Sequence, residues 1–309
     1  MNKIIAIAGP TAVGKTKFAI EVAKAFDGEV VSCDSMQLYK YMDIGSAKPT
    51  PDEMAQAKHH LVDFLDPRDE FSVSRYQEIA KEAINDILSR GKVPVISGGT
   101  GLYLNSLLYN MDFSSVPGDY SYRNELTELA EKEGNEYIHN MLAEQDPEAA
   151  SKIHPNNVKK VVRALERLKE GEGKIKQFSD IKEETTDYEV ILIGLTRDRE
   201  ELYNRINLRV DLLMEAGLLD EVKQLMDMGL TPDNISMKGI GYKEIMDYLD
   251  GKYSLDEAVE TVKKNTRHYA KKQLTWFRRY DKMYWLDISD YADDEKAIED
   301  MIKWIRTRL

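Results

Sequence analysis

The sequence predicts an α/β fold, in which helices flank a core of parallel strands and an all-helical domain is inserted into that core. Three observations favour this fold class. Short apolar runs typical of buried strands alternate with amphipathic helical segments. A glycine-containing loop joins the first of these runs to the first helix. One charged stretch, residues 115–186, has helical periodicity and lacks apolar runs of the strand type.

The strands and helices of the core follow from hydrophobic patterns. Ile4–Ala8 is a continuous apolar run that ends at Gly9-Pro10, which is typical of a buried strand. Apolar residues at helical spacing after Lys15 predict a helix that ends near Asp27, and Val73–Ser89 is an amphipathic helix. The other predicted strands are Glu29–Cys33, Val93–Ser97, Val190–Leu195 and, as a possible fifth, Met283–Leu286.

The inserted stretch separates two parts of the core. We predict a core domain formed by residues 1–114 and 187–309, and a helical insertion formed by residues 115–186. The helices predicted in the insertion are Tyr122–Glu133, Glu136–Glu144 and Val158–Lys169. After Arg199 helices predominate, including a long one at about Leu255–Tyr280 and a last one near Asp293–Arg308.

Composition excludes several classes of protein. The formal net charge of −12 argues against a generally basic coat for nucleic acid, although basic residues cluster in residues 159–169 and 263–282. The single cysteine, Cys33, excludes an internal disulfide framework and a multi-cysteine zinc site. No apolar run is long enough to span a membrane. These features predict a cytoplasmic enzyme.

Residues 9–16 read G-P-T-A-V-G-K-T, a complete P-loop between a strand and a helix. This spacing lets backbone N–H groups face an anion at a helix N-terminus, with Lys15 as a point charge and the Thr16 hydroxyl as a Mg²⁺ ligand. The core is therefore predicted to be P-loop NTPase-like. The residues predicted to bind a diphosphate or nucleotide here are Gly9, Pro10, Thr11, Ala12, Val13, Gly14, Lys15 and Thr16.

A motor or switch NTPase would also need an apolar strand that ends in Asp to hold Mg²⁺. Val93–Ser97 is instead followed by Gly98-Gly99-Thr100-Gly101, without an acid. We therefore expect the P-loop to bind a diphosphate or triphosphate as a donor or leaving group, without a hydrolysis cycle.

Asp34 directly follows the second predicted strand. Because the carboxyl ends of parallel strands line the ligand crevice, Asp34 should lie beside the P-loop. An Asp after a strand often caps a helix or forms a turn, and its place opposite a phosphate loop favours a catalytic role. Cys33 is predicted to pack in the core.

Several further motifs follow the P-loop in a fixed order. They are Asp34-Ser35-Met36-Gln37-Leu38-Tyr39, His59-His60-Leu61-Val62-Asp63, Gly98-Gly99-Thr100-Gly101-Leu102-Tyr103, His154-Pro155-Asn156, Arg163-Ala164-Leu165-Glu166, Lys238-Gly239-Ile240-Gly241-Tyr242 and Lys271-Lys272-Gln273-Leu274-Thr275-Trp276. Together they resemble the tRNA dimethylallyltransferases of bacteria, over nearly the whole chain.

The resemblance implies transfer of a dimethylallyl group from its diphosphate to the exocyclic N6 of the adenosine 3′-adjacent to the anticodon, position 37, in tRNAs that read codons beginning with U. Asp34 is the candidate that accepts a proton from the weakly nucleophilic amine, which would contribute about 10²–10⁴-fold. Lys15, the loop amides and Mg²⁺ would stabilise the departing diphosphate. The resemblance places Thr100 at the reaction centre, where it would orient the amine or the diphosphate.

The resemblance also implies contacts to the substrates outside the P-loop. Arg205 and Arg209 lie one helical turn apart, and the resemblance favours Arg209 as a diphosphate ligand, with a solvated helix face as the alternative. The target base must be flipped out of the anticodon stem-loop. The residues implied to contact tRNA are Asp34, Ser35, Met36, Gln37, Thr100, Arg123, Lys159, Lys160 and Arg163. The expected partners are tRNA and dimethylallyl diphosphate, and we expect a monomer.

Two features leave alternatives open. Lys159-Lys160 stands where many relatives carry a polar residue and Arg, which keeps charge but not bidentate contacts. The long helix carries a basic face that could track RNA phosphates or form a solvated surface. Its aromatic residues Tyr269, Trp276 and Phe277 are expected in the core, with platforms for base stacking as the alternative. The members of this basic face are Lys264, Arg267, Lys271, Thr275 and Arg278.

Three other functions compete with tRNA modification. An adenylate dimethylallyltransferase would perform the same chemistry on a free nucleotide, but it would not need the helical insertion or the two basic stretches. A small-molecule P-loop kinase would transfer a phosphoryl group from ATP. A nucleotide-dependent RNA-binding module would tolerate loss of Asp34, whereas the enzyme would keep RNA binding and lose turnover.

Overall fold

The computed structural model describes residues 2–111, 120–169 and 183–309. Six strands form one sheet in which every pair of neighbours is parallel. The strands are β1 (Lys3–Ala8), β2 (Gly28–Ser32), β3 (His59–His60), β4 (Val93–Gly98), β5 (Glu189–Thr196) and β6 (Tyr284–Asp287), and their order in the sheet is β3-β2-β4-β1-β5-β6. The predicted parallel sheet is confirmed, and only the two-residue β3 had no sequence signal.

Helices connect and cover the strands. They are α1 (Lys15–Ala25), α2 (Pro51–Gln56), α3 (Val73–Ser89), α4 (Gly101–Leu108), α5 (Tyr120–Glu133), α6 (Asn135–Gln145), α7 (Pro147–Lys152), α8 (Val158–Lys169), α9 (Arg199–Glu215), α10 (Leu218–Asp227), α11 (Tyr242–Leu249), α12 (Leu255–Phe277) and α13 (Asp294–Arg306). The long α12 begins at a capping box, in which Ser254 and Glu257 satisfy each other's backbone N–H groups. No helix in the described part of the chain has the length and apolar character needed to cross a bilayer.

The chain divides into two compact units. The core unit comprises Met1–Leu108 and Thr185–Leu309, and it contains the sheet; the helical unit comprises Tyr109–Glu184 and contains α5–α8. The first predicted domain boundary, between residues 114 and 115, lies outside the described residues. The second was predicted between residues 186 and 187, and the units divide two residues earlier.

Each unit buries its own apolar cluster. In the core unit, strand residues such as Ile5 and Ile193 pack with Phe18 of α1 and Met301 of α13. In the helical unit, α5, α6 and α8 contribute Leu126, Ile138, Leu142, Val161 and Leu165. Burial of a side chain of this size stabilises the folded state by about 1.5–3 kcal/mol, so both units have a hydrophobic core of their own.

The sheet brings three loops to one edge. β4 lies between β2 and β1, with Ser97 opposite Ser32 and Gly98 opposite Ala8. Because neighbouring strands are about 4.8 Å apart, the segments that follow these strands lie side by side. They are the P-loop after β1, Asp34 after β2 and Thr100 after β4.

Candidate active site

The P-loop makes its turn at a glycine that adopts a left-handed conformation. Gly14 has φ +112° and ψ +12°, a combination that is strained for residues with a side chain. α1 begins at the next residue, so the first N–H groups of that helix have no acceptor within it. A helix start of this kind can bind an anion.

Lys15 lies in the P-loop, and no carboxylate of the described residues forms an ion pair with it. Its side chain is half-buried, and its Nζ donates a hydrogen bond to the carbonyl of Pro10 at 2.8 Å. Burial lowers the pKa of Lys15 to about 8, the charge of Asp34 opposes this shift, and the charge of Arg209 adds to it. The charged ammonium is therefore disfavoured in the free protein and would gain from an anionic ligand.

Two arginines hold the outer side of the P-loop. Nε of Arg197 donates to the carbonyl of Val13 at 3.0 Å, and Nε of Arg205 donates to the carbonyl of Ala12 at 3.0 Å. Arg197 is buried, and it also forms ion pairs with Glu201 and Asp294. These contacts stabilise the conformation of the P-loop through its backbone carbonyls.

Arg209 differs from Arg205 in having no such contact. Among the described residues its guanidinium forms no hydrogen bond or ion pair, although it is half-buried. Burial lowers the pKa of Arg209, and the negative charge of Asp34 partly compensates. Within the described residues Arg209 therefore forms no ion pair, and its charge interacts with both Lys15 and Asp34.

Asp34 and Thr100 are brought together by direct contacts between the loops that follow β2 and β4. The N–H of Thr100 donates to the carbonyl of Cys33 at 3.1 Å, and Oγ1 of Thr100 accepts from the N–H of Ser35 at 3.0 Å. Oδ1 of Asp34 accepts from the N–H of Met36 at 2.9 Å, so Asp34 does form a turn. No hydrogen bond to its other oxygen occurs within the described residues. That oxygen is available to a substrate.

Cys33 is buried, as predicted. The residue is 2 % exposed, and burial raises the pKa of its thiol to about 12. It is therefore a core residue rather than a nucleophile.

A buried carboxylate fixes the chain beyond Gln37. Glu221 of α10 accepts from the backbone N–H groups of Asp43, Ile44 and Gly45 at 2.7–2.9 Å, and from the hydroxyl of Tyr242 at 2.8 Å. Nε2 of Gln37 donates to the carbonyl of Ala47 at 3.1 Å. We call residues 34–48 the acceptor loop. Contacts of Met36 and Gln37 with tRNA stay predictions.

In the helical unit, two of the residues predicted to bind tRNA share one buried partner. Glu166 is fully buried, and it accepts from Arg123 at 2.8 and 3.0 Å and from Arg163 at 2.7 Å. Lys159 and Lys160 are exposed on the same helix as Glu166. The structure thus brings Arg123 and Arg163 together, while their binding of RNA stays a prediction.

The long helix α12 departs from one expectation. Phe277 is buried and Trp276 is half-buried, but Tyr269 is 38 % exposed, so its prediction as a core residue is wrong. Among the basic residues of this helix, Arg267 is half-buried and bonded to Asn207. The other predicted members of the basic face, Lys264, Lys271, Thr275 and Arg278, are exposed.

Comparison with known proteins gives the family. Residues 37–280 match the family model described as IPP transferase. A tRNA dimethylallyltransferase of Acetivibrio thermocellus is 50% identical over 308 residues, which cover 99% of this chain and 98% of that protein. The chain belongs to the IPP transferase family. A second tRNA dimethylallyltransferase, from Alkaliphilus oremlandii, is 50% identical over 302 residues, 98% of this chain and 96% of that protein.

Solved structures of IPP transferases have the same fold. The full-length tRNA isopentenylpyrophosphate transferase of Bacillus halodurans has a TM-score of 0.75 and 45% identity, over 99% of this chain and 96% of that one. A eukaryotic dimethylallyltransferase acting on tRNA has a TM-score of 0.83 and 31% identity, over 99% of this chain and 80% of that one.

Three side chains of this transferase had no predicted role, although the structure places them around the site. Gln273 lies within one of the motifs that carry the resemblance, and Arg197 and Glu221 lie outside all of them. For two of them the sequence does contain a signal, because a polar residue occupies a position on the apolar face of a helix. Gln273 shares that face with Ala270 and Phe277. Glu221 lies on the same face as Val222 and Leu225. No comparable signal exists for Arg197, which directly follows β5.

Proposed function

We propose that this chain transfers a dimethylallyl group from dimethylallyl diphosphate to N6 of adenosine 37 in tRNAs that read codons beginning with U, and releases diphosphate. The observation that supports it most is the pair of half-buried cations, Lys15 and Arg209, whose charges interact with Asp34 and which form no ion pair with a carboxylate in the part of the chain that the structure describes. Two positive charges suit a diphosphate, and a carboxylate next to them suits an amine that must lose a proton.

The leaving group would lie in the P-loop. As the C–O bond to the diphosphate breaks, its electron pair and negative charge pass to the diphosphate oxygens. Lys15, Arg209 and the N–H groups at the start of α1 would stabilise that charge, and we assign Arg209 rather than Arg205 because Arg205 is engaged by Ala12.

Mg²⁺ fits this site only together with the diphosphate. Within the described residues no group of three or more acidic, His or Cys side chains could hold a metal, so the protein would contribute the Thr16 hydroxyl and the substrate the other charged oxygens. When bound, the ion would supply positive charge to the leaving group.

The acceptor amine would meet Asp34. The lone pair of an adenine amino group is delocalised into the ring, so the new C–N bond forms more readily if a proton leaves the nitrogen at the same time. We assign that proton to the free carboxylate oxygen of Asp34, and we assign orientation of the amine to Thr100, which is tied to Ser35.

Recognition of tRNA would use both the acceptor loop and the helical unit. We propose that Ser35, Met36 and Gln37 contact the flipped target nucleotide, and that Arg123, Lys159, Lys160 and Arg163 contact the RNA backbone. A free mononucleotide would have no use for these four cations, so we favour tRNA over AMP. We also propose that the enzyme acts as a monomer in the cytoplasm.

Transfer of label tests this function. Dimethylallyl diphosphate labelled in its hydrocarbon part is incubated with Mg²⁺ and either an unmodified tRNA or AMP. We expect label in tRNA and none in AMP. The Asp34→Asn variant should bind both substrates and lose turnover by about 10²–10⁴-fold.

Other outcomes favour the competing functions. Label in AMP but not in tRNA would support the adenylate enzyme, and release of ADP from added ATP would support a kinase. Unchanged turnover in Asp34→Asn would remove Asp34 from the reaction.

A further inference from the structure

Gln273 is a buried side chain that connects two loops of the active site. It lies on α12, it is 6 % exposed, and its Oε1 accepts from the backbone N–H of Thr11 at 2.9 Å. Its Nε2 donates to the carbonyl of Gly99 at 2.8 Å. An N–H needs an acceptor and a carbonyl needs a donor, so these two partners determine which end of the amide faces which loop.

The two loops have different tasks in the proposed reaction. Thr11 belongs to the P-loop after β1, which would hold the diphosphate. Gly99 follows β4 and directly precedes Thr100, which is hydrogen-bonded to Ser35 beside Asp34. A single amide therefore spans from the donor side of the site to the acceptor side.

Gly99 lies in close contact with the side chain of Gln273. A Cβ atom at this position would lie 2.3 Å from Nε2 of Gln273, closer than real Cβ contacts. The glycine thus permits a direct approach of the amide to the backbone of the turn. The N–H of Thr11 is taken by Gln273 and is not available to phosphate.

Tyr269, one helical turn before Gln273, adds a second link from α12. Its hydroxyl interacts with the side chains of Thr100 and Gln273. Burial raises the pKa of Tyr269, the charge of Asp34 raises it further, and the hydrogen bonds with Thr100 and Gln273 oppose the shift. The hydroxyl therefore lies near the side chains of Thr100 and Gln273, although 38 % of the residue is exposed.

We propose that Gln273 is a positioning residue that sets the separation between the leaving diphosphate and the acceptor amine. This inference rests on the function proposed above. Bond formation requires the reacting atoms at about 3–3.5 Å with aligned orbitals, and a displacement of about 1 Å can cost about 10²-fold in rate. A residue that touches neither substrate can therefore control the chemical step by fixing the two loops that do.

Two variants separate positioning from general stability. Gln273→Met keeps the length of the side chain and removes both hydrogen bonds. We expect its single-turnover rate to fall by about 10–100-fold, with dissociation constants for dimethylallyl diphosphate and tRNA close to those of the wild type. Gln224→Met, at an exposed position of α10, controls for the substitution itself and should behave as the wild type.

Gln273→Glu gives a pH signature that a packing role would not. The carboxylate still accepts from Thr11, but its second oxygen repels the carbonyl of Gly99. Protonation converts that oxygen into an O–H donor and restores the contact. The rate of this variant relative to the wild type should therefore rise at least about tenfold between pH 8 and pH 5.5, within the range over which a carboxyl with a raised pKa titrates.

The outcomes distinguish this inference from the proposed function. If the wild type does not prenylate tRNA, the proposed function fails. If the wild type is active and Gln273→Met keeps its single-turnover rate, or if the Gln273→Glu ratio does not change with pH, only the positioning role is overturned. Loss of activity in step with a loss of thermal stability, without a pH effect, would also overturn it.

Discussion

Lys15 is a half-buried ammonium whose hydrogen-bond acceptor in the described structure is the carbonyl of Pro10. Because burial lowers its pKa to about 8, the free enzyme loses this charge as the pH rises above 8. A diphosphate stabilises the charged form, so donor binding in this range should include the uptake of one proton. We expect donor affinity to fall by up to about tenfold per pH unit between pH 8 and the pKa of the complex.

Calorimetry in buffers of different ionisation enthalpy measures this proton uptake. Lys15→Arg is the matched control, because a guanidinium remains charged throughout this range and its donor affinity should depend less on pH. Donor binding at pH 9 without proton uptake in the wild type would contradict the assignment of Lys15 to the diphosphate.

The residues of the site were predictable to the extent that local patterns encode them. The P-loop is recognised by a fixed spacing of residues. Asp34 and Thr100 are recognised because they follow predicted strands whose carboxyl ends lie at one edge of the sheet. Both patterns can be read from a few consecutive residues. Gln273 contacts Thr11 from 262 positions away, and no local pattern contains that pairing. Aromatic residues usually pack in the core, which predicts Tyr269 there, but the residue is 38 % exposed and its hydroxyl interacts with Thr100 and Gln273.

At the scale of elements, strands and helices were predictable where the hydrophobic period was long. Val73–Ser89 and Val158–Lys169 have the predicted bounds, because apolar residues recur on one face through several turns. The two-residue β3 and the six-residue α7 were missed because such short segments show no period. β3 is a strand because it pairs with β2, and no pattern within its two residues predicts that pairing.

The acceptor loop depends on a neighbouring helix. Glu221 of α10 satisfies three successive backbone N–H groups of this loop, so we expect Glu221→Gln to replace one acceptor oxygen with a donor that faces them. Loss of such buried bonds should destabilise the loop by about 1–3 kcal/mol. Hydrogen exchange in residues 43–45 should accelerate, and kcat/KM for tRNA should fall more than the affinity for dimethylallyl diphosphate.

Asp220→Asn on the same helix is the control, because Asp220 is exposed and its charge is removed without touching the loop. If hydrogen exchange in the loop is the same in Glu221→Gln as in Asp220→Asn, the carboxylate does not hold the acceptor loop. If donor affinity falls as much as kcat/KM for tRNA, its effect is not specific to the acceptor side.

At the scale of the whole molecule, the helical unit enters and leaves the core unit at neighbouring positions. The N–H of Thr185 donates to the carbonyl of Leu108 at 2.9 Å, and Tyr109 pairs with Glu184. Each unit has its own apolar cluster. We therefore expect that residues 109–184 can be replaced by a short glycine-rich linker, because closing so small a gap costs little conformational entropy.

The excised protein should unfold in one cooperative transition and bind dimethylallyl diphosphate as the full chain does, since Lys15, Arg209 and the P-loop belong to the core unit.

The affinity of the excised protein for tRNA should fall. The slope of log K against log salt should decrease by roughly 3 in magnitude, because the four cations proposed to contact the RNA backbone are removed and each phosphate contact contributes about 0.7–0.9. Lys159→Gln with Lys160→Gln in the full chain is the matched comparison, and its salt slope should show about half of that decrease. An excised protein that keeps the full salt slope would show that tRNA does not bind the helical unit. One that fails to fold or to bind the donor would show that the core unit is not independent. If donor binding survives and the salt slope falls, the diphosphate chemistry belongs to the sheet, and selection of the RNA belongs to the helices inserted into it.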